Sequence, residues 1–108
     1  MSDTIATTAL TCVRPTGDRI DVVVEIGVPY RAEDGEWACA LSLGALELGM
    51  PHVKGDDSLQ ALCLALSLAR QLLTYFAEDG GRILIAGTES EFPMDSYFSW
   101  TTNAKTDR

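Results

Sequence analysis

The sequence predicts an α+β fold: an antiparallel meander of three strands, one long central helix, then one or two further strands in the same sheet. Three stretches carry that expectation. "RIDVVVEIGV" (19–28) alternates apolar and polar residues with the period of a half-buried strand. "GDDSLQALCLALSLARQLLTYFAEDGG" (55–81) has the spacing and end signals of a long helix. "RILIAG" (82–87) then returns to strand character.

Taken in order, "IATTALTCV" (5–13) is rich in β-branched residues and reads as the first strand. "RPTGD" (14–18) joins Pro, Gly and Asp, the chemistry of a turn. In the second strand Ile20, Val22, Val24, Ile26 and Val28 share one face. The simplest topology pairs these two strands as a hairpin. "PYRAEDGE" (29–36) is a polar loop turning at Asp34-Gly35, and "WACALSL" (37–43) alternates again as a third strand. "GALELGMPHVKG" (44–55) is punctuated by three glycines and a proline, with room for a short strand around either Leu46 or Val53.

Asp57 stands where a helix N-cap is expected, and Gln60 three residues later completes a capping-box spacing. Gly80-Gly81 supplies the stop. A helix from Ser58 to about Ala77 is roughly 30 Å long. At 100° per residue, Gln60, Ser67, Arg70, Gln71 and Thr74 form a polar stripe, while leucines, alanines, Cys63, Tyr75 and Phe76 fill nearly all the rest. The apolar arc is about twice the ~100° that a helix on a flat sheet needs. Its seven leucines are expected to dominate the core. The arc requires a cover beyond a flat sheet. Either the sheet curls and the segment "FPMDSYFSW" (92–100) folds over it, or a second copy does so through Leu64, Leu68 and Tyr75. "SYFSWT" (96–101) has the aromatic, β-branched character of a last strand.

At 108 residues the chain is read as one domain, 1–108, with flexible ends at about 1–4 and 102–108. Asp and Glu number 16 against 8 Lys and Arg, a formal net charge of −8. No cluster of cations stands ready to neutralise phosphates, so neither nucleic acid nor an anionic membrane is an expected partner. The longest uncharged run inside the helix, Ser58 to Ala69, is shorter than the ~20 apolar residues a bilayer requires. Cys12, Cys39 and Cys63 are odd in number and widely spaced, which fits neither a disulfide framework nor a zinc site. With no basic and apolar leader at the start, the expectation is a reduced, cytoplasmic protein.

Catalytic signals are sparse. The one histidine, His52, lies in a Gly/Pro-punctuated loop and reads as a surface or packing residue. All three cysteines fall on inward phases, where a thiol acts as a small hydrophobe. Phosphate-binding loops, calcium loops, nucleophile elbows and metalloprotease motifs do not occur. No catalytic residue, cofactor or metal ligand is therefore assigned. What remains is acidic and aromatic. Glu89, Glu91 and Asp95 surround Phe92-Pro93 and lead to Tyr97 and Trp100, and Glu33, Asp34 and Glu36 precede Trp37. Aromatic anchors rimmed by carboxylates suit the surface of a basic protein; the same residues could instead face the core and solvate loops.

"W37-A-C39" followed by "G55-D-D57-S-L-Q60-A61-L62-C-L-A65-L66", with Phe92-Pro93 later, resembles a family of small uncharacterised bacterial α+β proteins over residues 20–95. The shared pattern consists of a helix cap and core positions, so it implies a fold and transfers no activity. Three expectations follow. The first is an acidic binding module without catalytic activity, of the immunity or antitoxin type, acting on a basic protein. The second is a homodimeric accessory domain seamed along the helix. The third is a small-molecule binder using a space between helix and sheet.

Overall fold

In the computed structural model, residues 3–98 are described. The turn 14–18 joins β1 (Thr4–Val13) to β2 (Arg19–Gly27). Arg14 N–H donates to Asp18 O and Gly17 N–H to Arg14 O, each at 2.8 Å. The antiparallel register sets Thr8 opposite Val24, Leu10 opposite Val22 and Cys12 opposite Ile20. These residues share one face, as the alternation requires.

The third strand is not continuous. β4 (Trp37–Cys39) and β5 (Leu41–Ser42) are separated at Ala40, whose carbonyl accepts a 2.8 Å hydrogen bond from Gly27 N–H. β2 is likewise followed, after Val28-Pro29, by β3 (Tyr30–Arg31). β5 pairs with β2 and β4 with β3, so two breaks at the same level bend one ribbon into two sheets. Proline lacks an N–H for the ladder, which accounts for a break at Pro29. Of the two places open to a further strand, Val53 takes it: β6 (Val53–Gly55) pairs with β4, while Gly44–Leu46 forms a 3₁₀ turn. β7 (Arg82–Ile85) returns antiparallel to β1, giving the orders β5-β2-β1-β7 and β3-β4-β6.

α1 (Ser58–Glu78) begins and ends as its capping residues dictate. Asp57 accepts from Gln60 N–H at 2.8 Å, and Gln60 Oε1 reaches back to Asp56 N–H at 2.6 Å. At the C-terminus Gly81 N–H donates to Phe76 O and Gly80 N–H to Ala77 O, both at 3.1 Å, with Gly80 at φ +100°. That is the paired closure of a Schellman motif.

The sealed face of α1 is not made mainly of leucine. Ala61, Ala65, Ala69 and Leu73, at intervals of four, are the buried residues of the helix. As a whole α1 approaches β6 and β4 most closely. Gly55 completes the fit, since a Cβ there would lie 2.6 Å from Ala61 N. Leu62, Leu66, Leu68 and Leu72 lie half-buried along the flanks, and Leu59 and Leu64 are exposed. The expectation that seven leucines dominate the core is thus corrected to one fully buried leucine in α1, joined by Leu10, Leu41, Leu43 and Leu84 from outside it. The helix is long and apolar enough to cross a bilayer by length and composition alone; here its alanine face is packed on strands.

The expected strand at 96–101 is also corrected. Residues Met94–Phe98 form a short helix, α2, and residues 99–101 lie outside the described residues. Pro93 O accepts from Ser96 N–H and Tyr97 N–H, and Asp95 occupies the first turn, where negative charge is favoured. Coiling turns Phe98 into the core together with Phe92, a gain in burial that outweighs aromatic β-propensity. α2 packs on α1, so the bent sheets and this segment together cover much of the apolar arc.

Candidate protein-binding surfaces

The β3–β4 connection is an ordered turn. Ala32 N–H donates to Glu36 O at 2.8 Å, Gly35 N–H to Ala32 O at 3.0 Å, and Glu36 N–H to Asp34 Oδ1 at 3.0 Å. Glu33, Asp34 and Glu36 are all exposed, and Trp37 beside them is half-buried. Lys54 Nζ stands 2.7 Å from Asp34 Oδ2. The lysine's hydrogen bond, with the Glu36 amide second, holds the Asp34 carboxyl below its ordinary value. The same contact raises Lys54. Glu33 and Glu36 form no ion pair among the described residues.

The second acidic group sits beyond β7, an edge strand of the four-stranded sheet, whereas the β3–β4 turn belongs to the three-stranded sheet. Its carboxylates are largely engaged. Arg19 Nη2 lies 2.9 Å from Glu89 Oε2, a contact that lowers the Glu89 pKa, and Arg82 Nε lies 3.4 Å from Glu91 Oε2. Exposed pairs of this kind contribute little to stability, but they neutralise charge that a partner would otherwise meet. Asp95 is exposed on α2 without an ion pair among the described residues. Tyr97 stacks on Phe92 with ring centroids 4.4 Å apart and stays 51% exposed. Trp100 lies outside the described residues. Among the described residues no strand pairing joins this group to the β3–β4 turn, so the two sets of expected binding residues belong to connections of different sheets.

Tyr97 and Phe98 form one wall of an apolar cleft of about 200 Å³. Leu66 and Ala69 of α1 line it, and Ala6, Thr8, Val24 and Ile26 of the β1–β2 pair form its floor. Along the other flank of α1, Leu64 is 44% and Tyr75 52% exposed, and Leu68 is half-buried. Gln71 Nε2 donates to the Tyr75 hydroxyl at 2.8 Å, which fixes that ring along the helix.

A family model described as "Domain of unknown function (DUF6968)" matches residues 6–95, from β1 into α2. The chain belongs to that family. No curated protein and no solved structure matches it. The expected likeness to a family of uncharacterised proteins therefore stands at the level of the family.

Within this family member, Cys12 and Cys39 are sealed from solvent, while Cys63 on α1 is only half-buried. Burial pushes the Cys12 thiol up to about 11 and raises Cys39, whose Sγ donates to Gly27 O at 3.3 Å. Thiols so raised are poor nucleophiles near neutral pH. One contact escaped the sequence reading. Tyr30 Oη and His52 Nδ1 are 2.5 Å apart, with perpendicular rings at 5.6 Å. Tyr30 and Lys54 both flank Ala38 across the β3-β4-β6 ladder, and His52 just precedes β6. Only the register of that ladder could have revealed the pair, and the register depends on the break at Ala40.

Proposed function

We propose that the chain is an acidic protein-binding module without catalytic activity, of the immunity or antitoxin type, which engages a basic protein in the cytoplasm. One observation carries this reading. The β3–β4 turn holds Glu33, Asp34 and Glu36 exposed on a hydrogen-bonded frame next to half-buried Trp37, with two of the three carboxylates unpaired among the described residues. A rigid, charged tip of this kind accelerates encounter with a basic surface and lets the aromatic add contact area. The net charge of −8 steers in the same sense.

The test is affinity enrichment from source cells, comparing the native chain with Glu33→Lys/Glu36→Lys. A basic protein should be retained by the native chain at low salt, released at high salt, and missed by the variant. If no protein distinguishes the two chains, the reading fails. A second reading, a homodimer along α1, is favoured by the exposure of Leu64 and Tyr75 beside half-buried Leu68. Loss of dimer mass in Leu64→Arg would support it.

A further inference from the structure

β1 is ten residues long, but β7 pairs with only Leu10–Val13. On that side Thr4–Ala9 has no backbone partner among the described residues. The chain vacates the position at the end of β7, where Thr88 N–H donates to Ile85 O at 2.9 Å and Gly87 N–H to Thr11 Oγ1 at 3.1 Å. The polypeptide is thereby turned back instead of continuing along β1. The open edge has room for a strand of six residues, about 20 Å. It borders the apolar cleft, because Ala6 and Thr8 project inward beside Leu66 and Tyr97.

Open edges are ordinarily blunted with charge, proline or a cover. Among the described residues this one has none of these devices. Thr4–Val13 contains no charged residue and no proline, and Ile5 is exposed. The edge continues a formed sheet and opens onto apolar surface, two features that suit strand addition.

We propose that this edge is the interface to a second copy of the chain. The two β1 strands pair antiparallel about a twofold axis near Ala6-Thr7 and fuse the two four-stranded sheets. The lack of charge along the edge favours this occupant over a basic one. A basic segment finds no carboxylate along Thr4–Val13 to pair with, whereas two acidic copies meet here without opposing charges on the paired strands. Each copy also supplies what the edge lacks, an extended, uncharged strand already held in shape by β2. Pairing about a twofold axis perpendicular to the sheet keeps Ala6 and Thr8 of both copies on one face, so their small side chains leave space where the two clefts meet. The arrangement is isologous and closes at two. It is independent of the acidic-tip reading and competes directly with the α1 seam.

Sedimentation equilibrium of the full chain across the micromolar range tests it. The native chain should show a dimer mass. Ala6→Lys, which sets like charges across the axis, should weaken association by roughly tenfold or more. Leu64→Arg should leave it unchanged. Hydrogen exchange on the native chain covers the case in which Ala6→Lys does not fold: alternate amides within Thr4–Ala9 should lose protection on dilution while α1 amides do not. A monomer at every concentration overturns the proposal. So does a dimer dissolved by Leu64→Arg and not by Ala6→Lys, and so does concentration-independent exchange at Thr4–Ala9.

Discussion

The two sides of α1 are made of similar aliphatic residues and have opposite fates. Ala61, Ala65 and Ala69 are sealed to zero exposure, while the larger Leu64 and Tyr75 on the outer flank stand about half in solvent. Size decides which side is inside. A helix that approaches a strand as closely as α1 approaches Gly55 leaves room only for methyl groups, and the leucines are displaced to the flanks. Truncation should separate the two sides. Leu73→Ala opens a cavity at the sealed end of the stripe and should destabilise by about 3 kcal/mol. Leu64→Ala should change stability by less than about 0.5 kcal/mol. Urea unfolding measures both, and equal losses would dissolve the distinction.

The same comparison can be attacked from the strand. Gly55→Ala drives a Cβ to within 2.6 Å of Ala61 N and 2.9 Å of its Cα, both backbone atoms that cannot swing aside. The helix must lift from β6, at a cost of about 2 kcal/mol. Gly35→Ala is the control. Its φ is +90° with nothing within 4 Å of the added atom, so it should cost about 1 kcal/mol of backbone strain alone. A Gly55→Ala chain as stable as Gly35→Ala would show that the contact gives way.

Much of this layout was legible because local signals agreed. The caps at Asp57 and Gly80-Gly81 bound α1 to within a residue, and the alternation of 19–28 set the inward face of β2. What failed depended on partners far away in sequence. The break at Ala40 answers the one at Gly27 to Pro29 on the neighbouring strand, and alanine itself carries no break signal. The segment 96–98 has β-propensity, yet Pro93 and the burial of Phe98 make it helical. Hydrophobicity alone puts the seven leucines in the core, but the distance between helix and strand is the governing quantity. Composition puts the acidic residues in one class, and the structure divides them: Glu89 and Glu91 are paired to arginines, while Glu33 and Glu36 have no ion pair among the described residues. Cross-strand register makes that division, and composition does not contain it.

A smaller effect tests the entrance to the sealed face. Asp57 accepts from Gln60 N–H in the first turn, and Ala61 follows immediately. Asp57→Ala should cost about 1 kcal/mol, with faster amide exchange confined to the first turn of α1. Exchange that rises equally along the whole stripe to Leu73 would mean that the cap, and not the alanine contact, anchors the helix.

The smallest effect belongs to the fully open surface. The Asp34 carboxyl is held below its ordinary value of 3.8, so the contact's contribution is present above that pH and fades as pH falls through the folded value. Lys54 is raised above 10.5, so its contribution is present below that pH and fades as pH rises through the folded value. The pair therefore acts throughout the neutral range. Because both groups are exposed, salt screens it and the fold does not depend on it. Lys54→Met should move the Asp34 titration up toward 3.8 in a carboxyl NMR experiment without a resolvable change in thermal unfolding. The Glu36 amide remains in place, so the return should be incomplete. An unchanged titration would assign the depression to the turn backbone alone, and a fall in thermal stability would place this surface on the sealed side of the comparison.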